Sequence, residues 1–278
     1  MKKIFLSAIM LGSLMFAEAQ TVRTPQPSTT TTVKQEFGLS TIELSYSRPN
    51  MKGRKIFGDL VPFNNQVWRT GANGATTLTF SDEVIIGGTK IPAGKYGLLT
   101  IPGASEWTII ITKQTDVTSP AAYDQTKDVV RLKAKPEPMP MNIETFTIMF
   151  NDVMPSSIAL GMMWEKTYVE FPITADIDSK VMAQIDNAMN KDNKPYFQAA
   201  MYYMDNGKDL NKANEWFDKA IAQNPTAFWV YHQKANCLAK MGKKSESIDT
   251  ANKSIELAKA AKNDDYVALN NKLLATLK

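Results

Sequence analysis

Hydrophobic residues follow two different periods along this chain. Between Ser40 and Thr174 they fall in short runs broken by Gly, Pro, Asn and Asp; beyond Thr174 they recur every three or four positions. The first pattern predicts strands, whose successive side chains face opposite ways, and the second predicts helices. Strand candidates are residues 41–46, 76–80, 96–101, 107–111, 129–133, 146–150, 158–164 and 167–171. Eight strands without a helix between them imply an antiparallel β-sandwich or barrel. Ile91-Pro92-Ala93-Gly94 and Ile101-Pro102-Gly103 supply turn chemistry at strand ends. Pro136, Pro138 and Pro140 lack backbone donors and mark an edge or an extended connection.

In the second region Val181, Ile185 and Met189 share one helical face. Breaks at Asn206-Gly207, Pro225 and Gly242 divide it into helices at about 178–190, 195–205, 209–223, 227–241, 244–260 and 264–277, which pair into hairpins. Lys219-Ala220-Ile221 and Lys253-Ser254-Ile255 stand 34 residues apart. With Ala213, Phe217, Ala220 and Pro225, the first copy resembles a tetratricopeptide unit, whose repeat is about 34 residues. The second keeps Tyr231, Gly242 and Ile248 but carries Ser247, Ala251 and Ser254 where the family has alanine, an aromatic and alanine, so it is degenerate. The predicted class is therefore multidomain β + α: an antiparallel β-sandwich or barrel, then an all-α tetratricopeptide-like region.

The N-terminus changes the picture of compartment. Lys2 and Lys3, the apolar run Ile4 to Phe16, and Ala17-Glu18-Ala19 have the three-part form of a secretory signal peptide, predicting export and a chain that works from Gln20, in the periplasm or outside the cell. The apolar run is too short to span a membrane, and no later segment predicts a transmembrane helix. The expected divisions are 1–19 signal peptide, 20–36 flexible Pro/Thr-rich leader, 37–175 β domain and 176–278 helical domain. Net charge is +4, too small to imply nucleic acid as a partner. Cys237 is the one cysteine, so no internal disulfide forms and stability comes from packing.

Ser47-Arg48-Pro49, Lys52-Gly53-Arg54-Lys55-Ile56-Phe57-Gly58, Leu60-Val61-Pro62, Val67-Trp68-Arg69-Thr70-Gly71-Ala72-Asn73, Ala75-Thr76-Thr77, Ile91 to Tyr96 and Glu106-Trp107 follow in order. Together they resemble the exported bacterial family called domain of unknown function 2911, over about residues 22–175. The resemblance implies no activity; members with a helical-repeat tail fit the two-part layout.

Between Arg48 and Arg69 stand five cations, Arg48, Lys52, Arg54, Lys55 and Arg69, against one acid, Asp59. Glycines and Asn64-Asn65 give the segment loop character, where binding groups concentrate on β scaffolds. One reading is a site for a polar or anionic ligand built from Arg48, Arg54, Trp68, Arg69 and Asn73, with guanidinium groups holding an anion and Trp68 giving a stacking face. The other is structural: Trp68 in the core and Arg69 capping loop carbonyls.

Enzyme signatures are sparse. The one histidine, His232, lies in the helical tail, so the β domain has no imidazole for a Ser-His-Asp arrangement or a histidine metal site. His232 and Cys237 stand about 140° apart on a helix and do not share a metal. No cofactor motif appears. The methionines near the junction, including Met141, Met154 and Met162, read as core filling. Glu43, Asp59, Glu106 and Glu144 leave open a carboxylate-dependent enzyme acting on envelope carbohydrate. A purely structural envelope component is a further alternative. The leading expectation is a non-enzymatic binding or scaffolding protein: a polar or anionic ligand on the β domain, and a protein or peptide partner on the tail.

Overall fold

A computed structural model describes residues 24–63 and 66–277. The chain divides into two compact units after Ala175. The proposed signal peptide, the start of the leader and Asn64-Asn65 lie outside the described residues.

The first unit is an antiparallel β-sandwich. One sheet has the order β1-β2-β3-β6-β7-β8, with β1 Thr29–Phe37, β2 Ser40–Arg48, β3 Thr76–Phe80, β6 Gly94–Ile101, β7 Trp107–Thr112 and β8 Asp128–Ala134. The other runs β5-β4-β10-β9, with β4 Val84–Ile86, β5 Thr89–Ile91, β9 Glu137–Asn151 and β10 Ser157–Thr174. The alternation read from the sequence becomes the inner faces. Ile42, Leu44, Tyr46, Leu78, Phe80, Leu98, Ile109 and Ile111 of the first sheet meet Phe146, Ile148, Leu160, Met162, Trp164, Phe171 and Ile173 of the second in one buried core. Leu99 and Ile110 face the other way and are covered by Val117, Val67 and Tyr123, so two connecting segments close over the outer face of the first sheet. That closure requires Gly97, because a β-carbon there would stand 2.0 Å from the Gln114 carbonyl oxygen.

Three strand expectations change. The threonine run expected within a flexible leader, 20–36, is strand β1, paired residue for residue with β2 from Thr29↔Arg48 to Phe37↔Ser40. Residues 158–164 and 167–171 belong to one strand, β10, in which the register against β9 shifts on both sides of Glu165, whose φ is 56°. Strands β4 and β5, three residues each, are additional. Pro138 and Pro140 sit in β9, the edge of its sheet, where a missing donor breaks no ladder. Met141 and Met154 are exposed, contrary to the core role expected, while Met162 is buried.

The second unit is all helix: α1 Asp178–Met189, α2 Tyr196–Asp205, α3 Leu210–Gln223, α4 Phe228–Lys240, α5 Lys244–Ala260 and α6 Asp264–Thr276. Asp209 caps α3 and Asn263 caps α6, their side chains accepting the orphan amides of the first turn. From α2 to α6 each helix packs on the next, and α4 also touches α2 and α6, so α2, α4 and α6 line one side. No described helix is long and apolar enough to cross a membrane.

The serines that make the second repeat degenerate have partners. Ser247 Oγ donates to the Ala235 carbonyl at 2.8 Å, and Ser254 Oγ donates to Phe228 O at 2.7 Å while accepting from Asn270 Nδ2 at 2.8 Å. Asn270 also meets His232 Nδ1 at 2.9 Å, and Asn236 meets His232 Nε2 at 3.1 Å. The single histidine is thus held in a buried polar network. Cys237 is buried nearby, its Sγ 3.6 Å from Leu210 O, and burial pushes its thiol pKa up.

Candidate functional site

The long connection from β2 to β3 carries the cationic segment. Its first half is anchored by Ile56, Phe57 and Val61, all buried, and by backbone bonds from Met51 N to Glu144 O at 2.8 Å and from Val61 N to Ile56 O at 2.9 Å. The bend in β10 serves the same purpose, because Glu165 Oε2 there accepts from Phe57 N at 3.3 Å. In the second half, Trp68 bridges Thr100 of β6 by two backbone bonds, 2.7 and 2.9 Å. That short extended stretch sends the adjacent side chains of Trp68 and Arg69 in opposite directions.

Trp68 packs against the edge of the core, meeting Phe57, Trp107 and Phe146 in edge-on contacts and Trp164 in a near-parallel one. Its Nε1 donates to Gly71 O at 3.1 Å. The backbone then turns sharply through Thr70, Gly71 and Asn73, all at positive φ. Gly71 suits this turn because a β-carbon would lie 2.9 Å from Ser47 O. Arg69 Nη1 donates to Thr118 O in the segment that follows β7, tying the two covering segments together. Its Nε is buried without a hydrogen-bond partner.

These elements enclose a cavity of about 410 Å³. Arg54 and Arg69 supply its charge; Leu60, Pro62, Val67, Trp68, Pro120 and Trp164 supply most of its apolar wall; Gln66, Thr118 and Ser119 add polar groups. No carboxylate lines it, and neither guanidinium has an ion-pair partner among the described residues. Arg54 spends Nε on Met51 O at 2.9 Å and Nη2 on Asn50 O at 2.8 Å, which fixes the group while leaving Nη1 available.

Of the five residues singled out from the sequence, Arg54, Trp68 and Arg69 meet in this cavity, and Arg48 and Asn73 do not line it. Arg48 stitches the sheets together, with Nε donating to Phe146 O at 3.2 Å and Nη2 to Thr147 Oγ1 at 2.8 Å. Asn73 Nδ2 holds Ser28 O at 3.0 Å and Ser47 Oγ at 3.1 Å, fastening the start of β1. Sequence reading missed Trp164, Thr118 and Ser119, which arrive from distant segments. None of Glu43, Asp59, Glu106 and Glu144 lines the cavity; Glu144 Oε1 accepts from Lys52 N at 2.8 Å and Glu106 pairs with Lys133 at 2.8 Å. Among the described residues no cluster of three or more His, Cys, Asp and Glu is arranged to hold a metal.

The helical unit offers a second concavity, about 510 Å³, across Asp205 of α2, Gln233, Asn236 and Lys240 of α4, and Leu273 and Thr276 of α6. Trp229 and Leu269 lie one turn earlier on the same helical stripes as Gln233 and Leu273, and both are exposed.

A family model described as "protein of unknown function (DUF2911)" matches residues 28–173, and a tetratricopeptide-repeat model matches residues 216–249. No curated protein and no solved structure matches the chain.

Proposed function

The chain belongs to the DUF2911 family and carries a tetratricopeptide repeat behind that domain, and from this premise we propose that it is an exported, non-enzymatic binding protein with two working surfaces. The tetratricopeptide repeat is consistent with a role in protein interaction. In this reading the side formed by α2, α4 and α6 receives a protein or peptide partner, with Trp229 and Leu269 as apolar anchors and Gln233, Asn236 and Lys240 as polar contacts. The β unit holds a polar or anionic small ligand, and export places both in the periplasm or outside the cell.

One observation carries the ligand half: Arg54 and Arg69 converge on one cavity without a counter-ion among the described residues, and each guanidinium keeps a terminal nitrogen, Nη1 of Arg54 and Nη2 of Arg69, that no described acceptor takes. Charged donors of this kind bind anionic acceptors strongly. A carboxylate-pair enzyme draws no support here, since no acid among the described residues lines the cavity. The test is thermal stability of the full chain against acidic metabolites, phosphates, acidic sugars and envelope fragments, with Arg69→Ala alongside. A ligand at a hundredfold its Kd should add about 2.7 kcal/mol, several degrees of Tm. A shift lost in a folded Arg69→Ala variant supports the reading. No shift with any compound, together with a lower Tm for the variant, makes Arg69 purely structural and removes the ligand half.

A further inference from the structure

We infer that the cavity of the β unit takes a small organic monoacid with a flat apolar body, an inference that rests on the ligand-binding reading above. Two parts of the wall define two parts of the ligand.

The head is set by the donors. Arg69 commits Nη1 to Thr118 O and leaves Nη2, while its Nε is sealed from solvent. Arg54 commits Nε and Nη2 to loop carbonyls and leaves Nη1. Each guanidinium is therefore held in place by the protein, with part of its donor fork unspent. One planar carboxylate, with two oxygens and one negative charge, suits such a pair of partly used forks. A phosphate brings more acceptor oxygens than the two unspent terminal nitrogens can meet, and no described lysine lines the cavity to supply more donors. No described acid lines the cavity, so the entering anion meets no like charge from these residues.

The body is set by the walls. Trp68 is the partly exposed ring of the wall, stacked on an almost fully buried Trp164, and Leu60, Pro62, Val67 and Pro120 extend the apolar part of the lining. A hydroxyl-rich sugar would place its hydroxyls against these groups with few partners, which is unfavourable. An aromatic or fused-ring body loses nothing there and gains buried area and ring contacts. The volume, about 410 Å³, lies in the range of ordinary small-molecule sites and suits one or two rings. A peptide ending in an aromatic residue has the same head and body, so the experiment separates that source from a free acid.

The full chain is titrated, by calorimetry and by tryptophan fluorescence, with 2-naphthoate, its neutral amide, inorganic phosphate, glucuronate and an acetylated tetrapeptide ending in phenylalanine. The expected result is saturable binding of naphthoate, with the amide weaker by about tenfold or more and phosphate and glucuronate weaker still. Arg54→Gln should weaken naphthoate about tenfold; Arg48→Ala, outside the cavity, should not change it. Arg54 is exposed, so its variant keeps the test alive if Arg69 variants fail to fold. Equal binding of naphthoate and its amide overturns the inference. Tighter binding of phosphate or glucuronate, lost in Arg54→Gln, overturns the inference and leaves the anion site standing. Tighter binding of the tetrapeptide overturns the free acid in favour of a chain terminus. Binding of no probe at all removes both this inference and the ligand reading beneath it.

Discussion

Trp68 and Trp164 lie nearly parallel, 15° apart with ring centroids 6.0 Å from each other, and they come from opposite layers of the sandwich. Trp68 is pinned to the first sheet through its bridge to Thr100, whereas Trp164 stands on β10 of the second. The cavity floor therefore depends on the packing of one sheet on the other. Trp164 is only 1% exposed, so Trp164→Ala should lower the unfolding free energy of the β unit by about 3–5 kcal/mol. Trp68 is partly buried, and Trp68→Ala should cost about 2 kcal/mol. Urea unfolding of the two variants measures the difference; a greater loss from Trp68 would contradict this account of the floor.

Arg48 belongs to the fold and not to the cavity. Arg48→Ala leaves Phe146 O and Thr147 Oγ1 short of a donor across the sheet interface and should cost about 1–2 kcal/mol. Arg54→Gln removes bonds to the Asn50 and Met51 carbonyls, of which Met51 O still accepts from the backbone N of residue 54 at 3.1 Å, and should cost less than about 1 kcal/mol. Chemical denaturation of both variants tests the order, and the reverse order would return Arg48 to the list of exposed binding groups.

Restoring the family residue at position 254 should weaken the helical unit. Ser254→Ala reinstates the alanine usual in a tetratricopeptide repeat, yet it leaves one Asn270 Nδ2 hydrogen unpaired inside the buried network. The expected loss is about 1–3 kcal/mol, read from helical circular dichroism against denaturant. A neutral or stabilising result would mean that the network relaxes around the gap.

A pH effect is expected from α3. Hydrogen bonds from Lys219 and Lys212 hold the Glu215 carboxyl down at about 2 from an ordinary value of 4.5. A carboxyl lowered by folding contributes stability above its unfolded value, and that contribution fades as pH falls through the folded one. The Tm advantage of the native chain over Glu215→Gln should therefore be present at pH 7 and shrink between about pH 4.5 and about pH 2. Glu215 is solvent-exposed, so the advantage is small and screened by salt. A gap independent of pH would assign the difference to helix propensity instead.

The helices were legible because their signals are local. Val181, Ile185 and Met189 define a face, and Gly207, Pro225 and Gly242 fall at or between helix ends, so each observed end lies within a residue or two of the expected one. Strand β1 was not legible. As a sheet edge with no buried residue before Phe37, TTTTVKQEF needs no apolar alternation, and a polar run then resembles a linker. The break in β10 had a local sign, Glu165-Lys166 between apolar runs, but only the pairing with β9 shows that the strand continues beyond it. At the site, the Trp68-Arg69 pair could be read because the two residues are adjacent. The Phe146 carbonyl and Thr147 hydroxyl that claim Arg48 lie 98 and 99 positions away, and Thr118 lies 49 from Arg69, distances set by sheet packing that leave no mark in the loop itself.

Cys237 has a practical consequence. It is the one thiol in the chain, sealed among the helices of the second unit, with burial holding it in its unreactive protonated form. A thiol reagent can therefore reach it only during excursions that part α4 from its neighbours. The speed at which the native protein takes up one label becomes a clock for the breathing of the helical unit alone. A partner that clamps those helices should slow that clock, whatever the β unit is doing.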